Sequence, residues 1–262
     1  MKLFAFAFVS MAVVAQDLPK GETIFDKYVE VTGGKAGYAQ RRSEIARGVV
    51  KMAAAGVSGT VEMYSVAPNS QVIIMDVQGV GRIEQGTDGK IAWESSAVMG
   101  PRLKTGEEKV EALHEALFNL PLHWRQVYSK ATTIAAETTE GHDCYRIVAT
   151  PISGGKPETF WFDRKSGLNI KIKRTAVTAM GEIPAEIVMD NYKKIGPIMQ
   201  ATTLLQRAGG QEVTIILESI QPNAAIPASR FVPPAEVRQL MSPASPKPAP
   251  RPVAVQPKKK AA

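Results

Sequence analysis

The sequence predicts a mainly β protein of the α+β class: a large antiparallel sheet that curls strongly, an N-terminal helix and one helical insertion. Three observations predict it. From about residue 43 apolar side chains recur at every second position in a series of short runs. These runs are separated by Pro68-Asn69, Asp88-Gly89, Gly154-Gly155, Gly181, Gly196-Pro197 and Gly209-Gly210, which is turn chemistry. Only two segments of the body show helical spacing instead. Successive hairpins pair antiparallel, and a sheet of about ten strands curls or closes.

The elements follow in order. The opening "MKLFAFAFVSMAVVA" has one Lys and an apolar stretch too short to span a bilayer, which needs about 20 residues. With Val13 and Ala15 before Gln16 it has the layout of a secretory signal, and the expected mature protein is exported, soluble and periplasmic. Three segments are thus expected: a signal at 1–15, one domain at 16–241 and a tail at 242–262. "LPKGETIFDKYVEVTGG" reads as a helix with Ile24, Tyr28 and Val31 on one stripe and Gly33-Gly34 as its stop. The runs "GTVEMYSV", "QVIIMDVQ", "KIAWES", "CYRIVAT", "ETFWFD", "LNIKIKR", "AEIVMDNYK", "MQATTLLQ" and "EVTIILESI" read as strands, about nine or ten in all. Between them, residues 105–121 read as a helix with Val110, Leu113 and Leu117 on one stripe, Thr105 as N-cap and Pro121 as terminator.

Charge is unevenly placed. Of the formal +7, Lys2 contributes one and the tail five, through Lys247, Arg251, Lys258, Lys259 and Lys260 with no acid. Residues 16–241 therefore carry +1, which gives no support for a nucleic-acid surface. The proline-rich tail cannot pack a core and is expected to be disordered or extended, with a solvated role or peripheral contact to anionic lipid.

Motifs for chemistry are sparse. "HEALF" at 114–118 begins like a zinc-protease helix, but Phe118 stands where the second ligand is needed. "HDCYR" puts His142 and Cys144 two residues apart on one strand face, with no third group to orient them. "GVSG" is not a nucleophile elbow, and "GVGRIE" lacks the third glycine of a dinucleotide loop. Cys144 is the sole cysteine, so there is neither an intramolecular disulfide nor a thiolate metal site. The expectation is a protein without cofactor, metal or catalytic group.

The alternation itself is informative. Val61 and Met63, Ile73 and Met75, Ile91 and Trp93, Phe160 and Phe162, Ile170 and Ile172, Ile187 and Met189, and Val213 and Ile215 each give a strand one apolar face. With few helices to cover them, these faces either fill a barrel core or line a cavity for an apolar ligand.

The order of elements, with "PNSQVIIMDVQGVGRIEQGTDGKIAWE", "FWFDRKSGLNIKIK", "DNYKKIGPIMQATTLL" and the closing "FVPP", resembles the LolA-like outer-membrane lipoprotein-sorting proteins over about residues 20–233. The resemblance implies an incomplete, strongly curved antiparallel barrel with a helical lid over an apolar cavity. It implies a periplasmic carrier of lipid or lipoprotein acyl chains, with an inner-membrane donor and an outer-membrane acceptor protein. The alternative on the same fold is a lipid or lipoprotein-binding sensor or adaptor that transports nothing. Under this resemblance Val61, Met63, Ile73, Met75, Trp93, Phe160, Phe162, Ile172, Ile187, Met189 and Ile215 line the cavity. Leu113 and Leu117 face it from the lid, and Arg47 tethers the lid to the sheet.

Overall fold

The computed structural model describes residues 17–241; the expected signal segment and the tail from 242 lie outside them. Thirteen strands form one antiparallel sheet: β1 (Ser43–Met52), β2 (Val57–Val66), β3 (Ser70–Val77), β4 (Gly81–Thr87), β5 (Ala92–Ser96), β6 (Gly100–Lys104), β7 (Tyr128–Thr139), β8 (His142–Pro151), β9 (Glu158–Asp163), β10 (Asn169–Thr178), β11 (Gly181–Ile195), β12 (Ile198–Ala208) and β13 (Gln211–Pro222). The spatial order is β6-β5-β4-β3-β2-β1-β13-β12-β11-β10-β9-β8-β7, so the sheet is open and β6 and β7 are its edges.

The helices are α1 (Gly21–Val31), α2 (Gly34–Ala39), α3 (Gly106–Glu115), α4 (Trp124–Val127) and α5 (Ala235–Met241). The connection from β6 to β7, which carries α3 and α4, joins the two edges of the sheet. Twelve inter-strand steps of ~4.8 Å would hold those edges about 58 Å apart in a flat sheet. Yet α3, about 15 Å long, touches β4 and β5 on one flank and β10 on the other. The sheet is therefore strongly curved, and α3 crosses its concave side.

Register assigns each residue to a face. Val61, Met75 and Ile83 lie opposite one another on β2, β3 and β4, as do Met189, Leu204, Ile215 and Val50 on β11, β12, β13 and β1. Ile187, Ile172, Phe160 and Ile147 extend the row to β8, and all of these are concave. The bulge at Arg47/Gly48 sharpens the bend between β1 and β13. Any side chain at Gly48 would run into the Ile216 carbonyl, and one at Gly59 into that of Asp76.

Three clusters make most of the core. α1 presents Ile24, Phe25 and Val29 to the β7–β9 flank. There the Phe25 ring lies 5.1 Å from the rings of Trp124, Phe160 and Phe162. Asp26, next to Phe25 on α1, accepts hydrogen bonds from Arg125 (2.6 Å) and Trp124 (3.1 Å), fixing α4 against it. A second cluster, around Val50, Val61, Val77, Ile215 and Leu217, is built from strand side chains of the concave face. The third lies on the outer face, where Phe231 and Val237 seal Tyr64, Val72, Ile74 and Trp93.

The structure adds strands to the nine or ten expected. β4 is poor in bulky residues, β6 opens with Gly-Pro, and β7 has alanine and threonine where an apolar alternation would show. The expected helix at 105–121 stops at Glu115, because Asn119 takes a left-handed conformation (φ 58°) and Leu120–His123 continues as a 3-10 turn. The chain also goes on past "FVPP" into α5, which packs on the outer face. Phe25→Ala removes the ring on which α1 docks and is expected to cost about 3–5 kcal/mol of stability in urea titration; a loss under about 1 kcal/mol would contradict this core.

Candidate functional site

The concave face between the two flanks is the candidate site. Val61 and Ile215 are buried at its floor, while Met63, Ile73, Met75, Ile172, Ile187 and Met189 are half-buried and leave an apolar surface under α3. What holds α3 over it is polar. The helix has no buried residue. Its Glu108, Glu111 and Glu115 instead meet two arginines from opposite flanks. Arg102 of β6 donates to both oxygens of Glu108 (2.7 and 2.6 Å) and to Glu94 (2.5 Å). Arg174 of β10 pairs with Glu111 (3.6 Å) and with Glu115. The Val177 N–H donates to Glu111 Oε2 at 2.7 Å.

These clasps set the local ionisation. The Arg102 hydrogen bonds hold Glu108 below its usual value despite burial. Burial pushes Glu111 up, against the Val177 N–H. Burial disfavours the Arg174 charge, but Glu115, Glu111 and Glu158 keep it protonated. At the far end of the insertion, buried Arg41 donates to Asn119 Oδ1 (3.2 Å), pairs with Glu44 and lies over the Phe118 ring at 5.2 Å. The Asn119 amide donates to the Tyr38 carbonyl at 2.9 Å, and the Phe118 N–H to that of Pro68 at 2.8 Å.

The roof leaves a recess at each end. One, of about 120 Å³, lies under Val110, Glu111 and His114 against residues 151–158. The other, of about 250 Å³, is bordered by Tyr28, Arg41, Glu44, Gln71, Leu117 and Gln200. Both fall below the ~300 Å³ at which ligand pockets begin, so neither holds a chain-like ligand with α3 in place.

No protein-family profile and no curated relative matches the chain. Solved structures do. A LolA-superfamily protein from Nitrosomonas europaea aligns with TM-score 0.54 at 13% identity, covering 82% of this chain and 99% of that one. A DUF1329-family protein from Desulfovibrio piger gives 0.56 at 12%, covering 82% and 98%. A domain described as an outer-membrane lipoprotein-sorting protein, from Vibrio parahaemolyticus, gives 0.52 at 13%, covering 79% and 97%.

The fold is LolA-like. Within this LolA-like frame several expected site residues are placed differently. Trp93 lies opposite Gly86 and Val72, hence on the outer face, and is fully buried beneath the C-terminal segment; it cannot line the concave site. Phe160 and Phe162 are concave, but Phe25 covers them and they belong to the packed core. Arg47 is on the outer face, where it pairs with Glu62 at 3.3 Å and touches nothing of the insertion. The arginines that hold the insertion are Arg102, Arg174 and Arg41. Leu113 is half-buried on α3, and Leu117 packs against the α1 cluster.

The other polar candidates do not assemble a reactive centre. Cys144 is fully buried on the outer face, and burial pushes its thiol up to about 11, so it stays protonated at neutral pH. His142 turns to Asp163 at 3.3 Å. His114 faces the Tyr128 ring on the concave side. Among the described residues no group of three His, Cys, Asp or Glu could hold a metal ion, and no helix is long and apolar enough to cross a membrane.

Arg102→Met with Arg174→Met leaves Glu108 and Glu111 without their guanidinium partners and is expected to raise amide exchange across 106–115 at least tenfold; Arg47→Met should leave that exchange unchanged. Equal protection of α3 in all variants would contradict the clasps. pH gives an independent check. Because Glu108 is depressed in the fold, its contribution is complete above the ordinary value of 4.5 and is lost as pH falls through its folded value. Glu111, raised by burial, adds to closure as it takes up a proton, so protection of α3, corrected for intrinsic exchange, should not fall between pH 7 and about 5 and should drop below about 4. Early loss near pH 6 would assign control to another group.

Proposed function

We propose that this chain is a periplasmic carrier that binds lipid or lipoprotein acyl chains on its concave face and moves them toward the outer membrane. The observation that carries the reading is the mismatch between that face and its roof: a wide band of half-buried Met and Ile under a helix with no fully buried residue, held chiefly by ion pairs. Apolar area gains about 25 cal/mol per Å² when an acyl chain covers it, and lifting the roof returns the charges of its largely buried ion pairs to water, which offsets part of the Coulombic attraction lost. Loading then exchanges a polar closure for apolar burial, and release needs an acceptor with higher affinity.

The lipoprotein-sorting relative from Vibrio parahaemolyticus supports this choice of cargo. A donor protein at the inner membrane and an acceptor at the outer membrane would complete the route. In this reading residues 1–15 are a cleaved export signal, residues 16–241 the binding domain and residues 242–262 a basic tail. Binding and release need no catalytic group or cofactor. The smallness of the two recesses favours a second reading, in which the concave face stays filled and the protein is a sensor or adaptor.

Native mass spectrometry of the mature chain purified from a periplasm, followed by organic extraction, tests the choice. The carrier reading expects a bound mass that extracts as phospholipid or acylated peptide. Met75→Asp and Met189→Asp should each lower its occupancy at least about tenfold with the fold retained by circular dichroism. Folded variants that keep their lipid, or a wild-type chain that takes up no fatty acid, would favour the sensor or adaptor.

A further inference from the structure

The two ends of the sheet differ. At one end lie the turns 53–56, 78–80, 97–99, 152–157, 179–180 and 209–210, and the antiparallel order puts all six on the same rim. Their residues include a single charge, Lys156, which pairs with Glu182. They also expose bulky apolar side chains: Val98 is 76% exposed, Ile152 55% and Met180 84%, with Met99 beside them. Val110 of α3, likewise exposed, stands next to the 152–157 turn at the mouth of the smaller recess. The turns of the opposite rim carry Asp88, Lys90, Glu140, Arg164 and Lys165, and none of the large exposed apolar side chains of the described residues.

We infer that the apolar rim seats in a lipid bilayer surface, its hairpin tips entering the headgroup layer. A protein interface needs a contiguous, close-packed apolar centre. Here the apolar groups are spread over separate tips, Val98 and Met99 on one and Ile152 and Met180 each on its own, spaced by Gly and Ala, which suits insertion between lipids rather than a flat contact. The near absence of charge lets the tips leave water without stranding an ion. The five cations of residues 242–262, without an acid, complement an anionic lipid face. Under the carrier reading the same seating would bring the mouth beside Val110 to the membrane, but the rim's asymmetry stands without any cargo.

Flotation of the mature full chain on protein-free vesicles of phosphatidylethanolamine and phosphatidylglycerol tests this. Wild type should float and stay bound in high salt, because tip insertion is apolar. Val98→Ser, Ile152→Ser and Met180→Ser together should weaken binding by roughly tenfold per side chain, with circular dichroism and bound-lipid mass unchanged. All three are exposed, so the fold does not depend on them, and Met180→Ser alone provides a milder check. Three results would overturn the inference: a triple variant that floats like wild type, binding abolished by salt or by deletion of 242–262 alone, or a wild type that binds only vesicles containing membrane proteins. The last would assign the rim to a protein partner. Unchanged flotation by a chain with no bound lipid would overturn the carrier reading and leave the rim intact.

Discussion

Two arginines on opposite flanks of one sheet are held by one short helix, and much else follows from that. Arg102 on β6 and Arg174 on β10 are nine strand steps apart in the sheet, about 43 Å if it were flat. Their partners Glu108 and Glu115 are seven residues apart on α3, about 10 Å. Both clasps can form only if the sheet bends until its flanks approach, and the bulge at Arg47/Gly48 with the bare backbone at Gly48 and Gly59 lets β1 and its neighbours do so. The edge-to-edge connection between β6 and β7 then has one short route, across the concave mouth.

That geometry separates two kinds of closure. At the β7–β9 flank α1 is fastened by interlocking aromatic rings, a contact that opens only with the core. Over the middle of the sheet α3 is fastened by largely buried carboxylates and guanidinium groups, which water solvates once the helix lifts. The molecule thus has a rigid end and a releasable roof on the same concave surface. Methionines under that roof suit a site that meets chains of varied length, since unbranched thioether side chains repack readily.

Much of this was legible in the sequence, and its failures have physical causes. Alternation in β2, β3 and β11 put Met63, Met75 and Met189 on one face, because each of those strands has a polar side to contrast with. Trp93 was misplaced because the face of β5 relative to β3 depends on β4, whose Gly, Glu and Gln give no apolar parity to count from. The resemblance implies a tethering arginine without fixing its position, and the sequence around Arg47 does not reveal which face of β1 it takes. A usable signal for the true clasps lay elsewhere. Glu108, Glu111 and Glu115 fall at i, i+3 and i+7, a single acidic stripe beside the apolar one of Val110, Leu113 and Leu117. Such a stripe facing the sheet requires basic partners, and Arg102 and Arg174 supply them.

The central claim is that chain-like apolar ligands sit beneath α3 on the concave face. Photolabelling with a diazirine-bearing fatty acid, followed by peptide mapping, tests it most directly. The account predicts adducts on the strand segments that hold Met63, Met75, Met189 and Leu204 and on α3 itself, all competed away by unlabelled fatty acid. Adducts confined to the outer face around Val232 and Leu240, or adducts that competitor does not reduce, would contradict it.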